Sequence, residues 1–146
     1  MGRRLIPTKL YKDTVKLFRS KGFIKEAPPL RWTVEDCYGY LKYSWYKKNG
    51  RGKRIYFGQI IFLNKAYAPC YKTDVVTEGG RERFSDLIET IAHELAHLSY
   101  KNHSDKHENL TQKYRSEILE NIIVPAGGIL EYCQDCKLQK GEKRNE

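Results

Sequence analysis

The chain has little of what marks several protein classes. It contains no run of about 18 apolar residues, which excludes an ordinary membrane-spanning helix. Mean hydropathy is −0.71. It has one Met, and no internal repeat or low-complexity tract. Four cysteines in 146 residues are too few for a disulfide-built scaffold, and only Cys133 and Cys136 are closely spaced. The beginning is basic, but Lys9, Lys12, Asp13 and Lys16 interrupt any apolar signal core. No secretory signal is therefore read, and a cytoplasmic location is the default expectation. Acid is also under-represented: 27 Lys and Arg stand against 18 Asp and Glu, a formal net charge of +9. Such an excess attracts polyanions, so nucleic acid is a candidate partner.

What is present fits one modest domain. Leu10, Tyr11, Val15, Leu17 and Phe18 recur at helical spacing, predicting a helix from about Thr8 to Ser20. Gly22 suits its stop, and Pro28-Pro29 an extended connection. Alternation and aromatic density predict a strand from Tyr38 to Lys47. Asn49-Gly50 is a hairpin turn, and the partner strand runs from about Arg54 to Leu63, with Gly58 marking a bulge. Asn64 to Gly80 reads as loop. A second helix is expected from an N-cap at Ser85, with Asn102 as terminator. A third begins near Asp105, whose capping partner is Glu108, and stops before Pro125. These elements make an α+β fold. The expected organisation is a domain over residues 1–124 and a short tail over 125–146 that carries the CxxC pair.

The chemistry gathers in one place. His93 and His97 are four apart on a helix, so both imidazoles lie on one face and can reach one zinc ion. Glu94 is beside them, placed to take a proton from water activated by the metal. All four histidines, His93, His97, His103 and His107, fall within 15 consecutive residues. A catalytic zinc takes three protein ligands and keeps one position open. The third ligand is expected to be His103, returned to the metal by a loop after the helix; His107 is the alternative ligand or an auxiliary group. Tyr100, His107 and Tyr114 are candidate oxyanion donors. Each tyrosine is equally explained by packing.

The stretch from His93 through His-Glu-Leu-Ala-His-Leu-Ser-Tyr-Lys-Asn-His to Ser104 resembles the signature of SprT-like and YgjP-like zinc metallopeptidases. These families show HExxH on a helix, then a third histidine followed by a small residue and, three further on, an aromatic. Ser104 holds the small position; His107 stands where an aromatic is usual. Gly58 to Asn64 is similar to the strand that precedes the families' active-site helix. The resemblance covers about residues 35–120. It implies a minimal zincin fold: an N-terminal helix, a small mostly antiparallel sheet with a hairpin, an active-site helix and a further packing helix. It also implies one catalytic zinc, peptide-bond hydrolysis, and substrates that include DNA-associated protein.

SprT-like proteins often carry a zinc ribbon with two CxxC halves, and Cys133 with Cys136 looks like one half. Cys37 and Cys70 are the remaining candidates to complete a second, structural zinc site, or the pair forms a disulfide. Lys47, Lys48, Arg51, Lys53 and Arg54 form the densest basic run and are candidate nucleic-acid contacts, with aromatic neighbours able to stack on bases. Three functions therefore stand open: a zinc peptidase, a nucleic-acid-binding module with structural zinc, and a zinc hydrolase of another acyl substrate.

Overall fold

The computed structural model describes residues 4–48 and 54–138. The architecture is α+β, with helices packed around a three-stranded sheet of order β1-β3-β2. Helix α1 spans Ile6–Ser20, and Pro7 sits in its first turn, where a missing N–H costs nothing. Gly22, at φ 76°, ends it. The Phe23 N–H reaches back to the Phe18 carbonyl at 2.8 Å, and the two rings meet edge-on at 5.5 Å. Such a glycine-closed turn with an apolar clasp satisfies the last carbonyls of the helix.

Strand β1 (Leu30–Thr33) runs parallel to β3 (Arg54–Asn64), and β2 (Gly39–Lys48) runs antiparallel to it. The register shifts around Trp45 and Gly58, consistent with glycine at an irregularity. The turn at Asn49-Gly50 lies outside the described residues. Ile61 and Leu63 of β3 face a single core shared with α1, with Ile88, Ile91 and Leu95 of α2 (Glu78–Ala96), and with Tyr114 and Ile118 of α3 (Asp105–Ile118). Each such fully buried aliphatic side chain contributes about 1.5–3 kcal/mol.

Two boundaries differ from those predicted by local sequence. Helix α2 spans Glu78–Ala96 and is capped by Thr77, whose Oγ1 accepts the Gly80 N–H at 3.1 Å. It therefore starts well before Ser85. The Gly79-Gly80 pair signals a loop locally, but tertiary packing requires a glycine there: a Cβ on Gly80 would lie 1.5 Å from the Asp74 carbonyl. That carbonyl belongs to a 3₁₀ turn, Lys72–Val75, which crosses the start of the helix. At its other end α2 stops at Ala96, several residues before Asn102.

Helix α3 spans Asp105–Ile118, and its cap is Ser104 rather than Asp105: the Ser104 Oγ accepts the His107 N–H at 3.2 Å. The helical path continues past the expected stop through a π turn, Leu119–Ile123, into α4, Val124–Ala126, which includes Pro125. The wider turn relaxes the ladder just where proline removes a donor. Gly127, at φ 102°, closes it. A short α5, Ile129–Tyr132, follows. Tyr132, Cys133 and Cys136 join the main core, and Cys136 bridges Arg4. No helix among the described residues is long and apolar enough to cross a membrane.

Candidate metal centre

Helix α2 carries its apolar stripe into the core through Leu87, Ile88, Ile91 and Leu95. That anchoring fixes the opposite azimuth of the same turns, where His93 and His97 lie. Their Nε2 atoms are 3.2 Å apart. After Ala96 the chain tightens into short-range turns, with the Tyr100 N–H on the Ala96 carbonyl at 3.1 Å, and then doubles back. His103, just before the Ser104 cap, is returned so that its Nε2 is 3.2 Å from that of His93.

These separations have a chemical meaning. Two imidazole nitrogens on one tetrahedral zinc, each at about 2.0–2.1 Å, stand roughly 3.3 Å apart. The rings are oriented for that role. Nδ1 of His97 is 2.9 Å from the Tyr100 carbonyl, so N–H donation there leaves Nε2 with its lone pair. Burial, followed by the neighbouring imidazoles His107, His97 and His103, lowers His93 from its ordinary value to about 4. Burial likewise lowers His97. Both are therefore neutral near pH 7, the form that donates to a metal.

His107 is buried beside them. One of its nitrogens comes within 4.8 Å of donor atoms on His93 and His97, so distance alone admits it to a three-histidine group. Orientation separates it from His103. Its Nε2 is 3.0 Å from the His93 carbonyl, and its ring stacks on His97 with centroids 4.0 Å apart and planes 22° from parallel. A ring stacked face to face with His97 suits a brace better than a ligand. The small side chain at Ser104 serves as the helix cap between these two histidines.

Glu94 is buried and lies at the base of the cleft. Burial raises its carboxyl to about 7, opposed by the Leu41 backbone N–H. A cleft of about 760 Å³ opens over it. One wall is α2, where Asp86, Glu89, Thr90 and His93 follow one another at helical spacing. The other is the segment 36–39 together with Tyr67. Asn64 holds that segment in place. Its buried amide donates to the Glu35 carbonyl at 2.6 Å, its Oδ1 accepts the Ala66 N–H at 2.9 Å, and its own N–H meets the Tyr38 carbonyl at 2.9 Å. Gly39 then lets strand and helix approach: a Cβ there would sit 2.6 Å from the Phe62 carbonyl and 3.1 Å from Thr90 Cγ2.

Sequence reasoning missed this second wall. No motif marks Asp36 or Tyr67, which local pattern leaves as connection, and Tyr38 is expected only as the start of a strand and Cys37 only as a candidate zinc thiolate. Asp86 and Glu89 did carry a signal, since they precede His93 on one helical face.

The other sequence candidates fall as follows. Tyr100 is at the surface, beyond the end of α2, so no helical phase directs it toward the histidines; its carbonyl instead orients His97. Tyr114 is buried among Phe18 and Phe23, with centroids at 4.5 and 5.7 Å. Cys133 and Cys136 are buried free thiols; burial also raises the Cys70 thiol, to about 11. Cys70 is buried by the loop carbonyls of Lys65 and Ala68, and Cys37 lines the cleft. Among the described residues the cysteines do not gather into a group of three or more metal donors, so the four-thiolate arrangement is not formed. Of the basic run, Arg51 and Lys53 lie outside the described residues, as do the side chains of Lys47, Lys48 and Arg54.

No family model, curated protein or solved structure matches the chain.

Proposed function

We propose that the protein is a zinc-dependent peptidase of minimal zincin type, with His93, His97 and His103 holding the ion and Glu94 acting as general base. The observation that carries this reading is the convergence of imidazole nitrogens, with two Nε2 separations of 3.2 Å, at the edge of a cleft lined by His93 and Glu94. The donor set fits zinc, which accepts neutral imidazole readily and tolerates a three-ligand site. When bound, the ion supplies Lewis-acid polarisation and acidifies water. The remaining work falls to the chain. Glu94, with its carboxyl near pH 7, takes the proton of the attacking water and passes it to the leaving amine. His97, held by the Tyr100 carbonyl, keeps the tautomer that presents Nε2. His107 braces the His93 carbonyl and so the turn that aims His93.

The proposed substrate is protein or peptide, and the +9 charge suits protein associated with DNA. That same charge favours a second reading, a nucleic-acid-binding module whose zinc is only structural. One assay separates them. Glu94→Gln should keep about one zinc per chain and lose cleavage of casein or of DNA-bound protein by about 10²–10⁴-fold, the usual worth of a general base. Cleavage equal to that of the unaltered chain would remove the peptidase mechanism. Salt-sensitive DNA binding with no hydrolysis by either protein would favour the module.

A further inference from the structure

The cleft is acidic although the chain is basic. Its walls bring Asp36, Asp86 and Glu89 to the same opening as Glu94, and among the described residues no lysine or arginine lines it. In a chain with 27 Lys and Arg this local reversal of sign is a specific feature. Asp86 and Glu89 are exposed on α2, and among the described residues neither has an ion-pair partner. On the facing wall Asp36 accepts the Tyr67 hydroxyl at 2.5 Å, which turns that carboxylate toward the aromatic pair Tyr38 and Tyr67, whose centroids are 5.3 Å apart. Tyr38 is 56% exposed. Carboxylates and phenol rings around one opening are the two surfaces that attract an organic cation, by charge and by the ring quadrupole.

A metal ion is a poorer occupant for these acids. Among the described residues Asp36, Asp86 and Glu89 do not draw their oxygens into a common donor group. Carboxylates spread along a cleft instead suit a long, flexible cation that reaches them in turn. They also repel phosphate, so a nucleic-acid strand is disfavoured in this cleft whatever it does elsewhere on the surface.

We infer that the cleft selects peptide segments carrying lysine or arginine, with Asp86 and Glu89 as the charge-reading residues and the Tyr38–Tyr67 pair supporting the alkyl chain and cation. This rests on the peptidase reading, which it deepens by naming the substrate class. Each exposed carboxylate contributes a modest, salt-screened attraction, and a ring face adds a similar amount, which together give a preference of roughly tenfold for a basic over a neutral side chain.

The test uses the zinc-loaded full chain carrying Glu94→Gln, which binds without cleaving, and three alanine-based peptides that differ only in one residue: lysine, norleucine or glutamate. The lysine peptide should bind about tenfold more tightly than the norleucine one, and the glutamate peptide most weakly. High salt should compress the series. Adding Asp86→Asn and Glu89→Gln should remove most of the difference between lysine and norleucine. Equal affinities, no binding of the lysine peptide, or a preference that survives the double substitution would overturn the inference. Cleavage by the unaltered chain is followed in parallel. Hydrolysis of all three peptides without charge preference sinks only the selectivity, whereas zinc-loaded protein that hydrolyses none sinks the peptidase reading.

Discussion

The two walls of the cleft are built by opposite means. The α2 wall is a regular helix, so its chemistry repeats every third or fourth residue from Asp86 to His97, and its rigidity comes from an apolar stripe on the far side. The facing wall has no such repeat. It is irregular chain, held by one buried amide at Asn64 and by the absence of a side chain at Gly39. A helix carries position in its periodicity. A loop wall carries it in a few hydrogen bonds and one close approach, and is correspondingly easier to displace.

The largest expected effect lies on the helical side. His93→Ala, His97→Ala and His103→Ala should each lose zinc and cleavage together, read by metal analysis and peptide hydrolysis. His107→Ala should retain the ion but bind it about 10–100-fold more weakly, as loss of an outer partner does. Full zinc loss in His107→Ala with retention in His103→Ala would reverse the assignment of ligand and brace.

Gly39→Ala probes the other wall. Its new methyl meets backbone, so about 1–3 kcal/mol of stability should go, with cleavage reduced and zinc content kept. Asn64→Ala leaves buried groups unpaired and should cost about 1–3 kcal/mol in urea unfolding. If either change expelled zinc instead, the two walls would not be independent.

Acidity distinguishes groups within the helical wall. In the metal-free chain His93 is lowered to about 4, so the folded state holds fewer protons than the unfolded one. Its contribution is intact above the ordinary histidine value and is lost as pH falls toward 4. Glu94 is raised to about 7 and has the opposite sign: its contribution is intact below the ordinary carboxyl value and is lost as pH rises through 7. Glu94→Gln should therefore raise metal-free stability at pH 8, with the gain vanishing near the ordinary carboxyl value; a gain that grew on acidification would contradict the buried, raised carboxyl. The smallest effect is Ser104→Ala, which should cost about 1 kcal/mol through the lost cap, measured by thermal unfolding.

The contrast between walls also describes what could be read from sequence. Gly22 closes α1 because a residue in the left-handed region is a local requirement. The pairing of β2 with β3 follows alternation, another local rule. The clustering of four histidines was visible because all of them fall within 15 consecutive residues. By contrast, the start of α2 was hidden: Gly79-Gly80 looks like a loop until Asp74 crosses it in three dimensions. The cap at Ser104 was displaced by one residue, since Asp105 is an equally good local candidate. The role of segment 36–39 as a cleft wall was illegible for a deeper reason. What makes it a wall is the side chain of Asn64, far along the chain, and the closeness of Thr90, and neither leaves a pattern in the segment itself.

The π turn at Leu119–Ile123 has its own consequence for variation in this protein. It behaves as a spare residue in an otherwise ordinary helical path. Deleting one residue there would return the turn to standard winding with the phase beyond it nearly kept, and deleting a second would swing everything beyond it by about 100°. Tyr132, whose hydroxyl donates to Asp13 at 2.6 Å and whose carbonyl accepts the Lys9 ammonium at 2.6 Å, would then face the wrong way. A change far from the histidines would thus unlatch the last helix from the first while leaving every cleft residue in place.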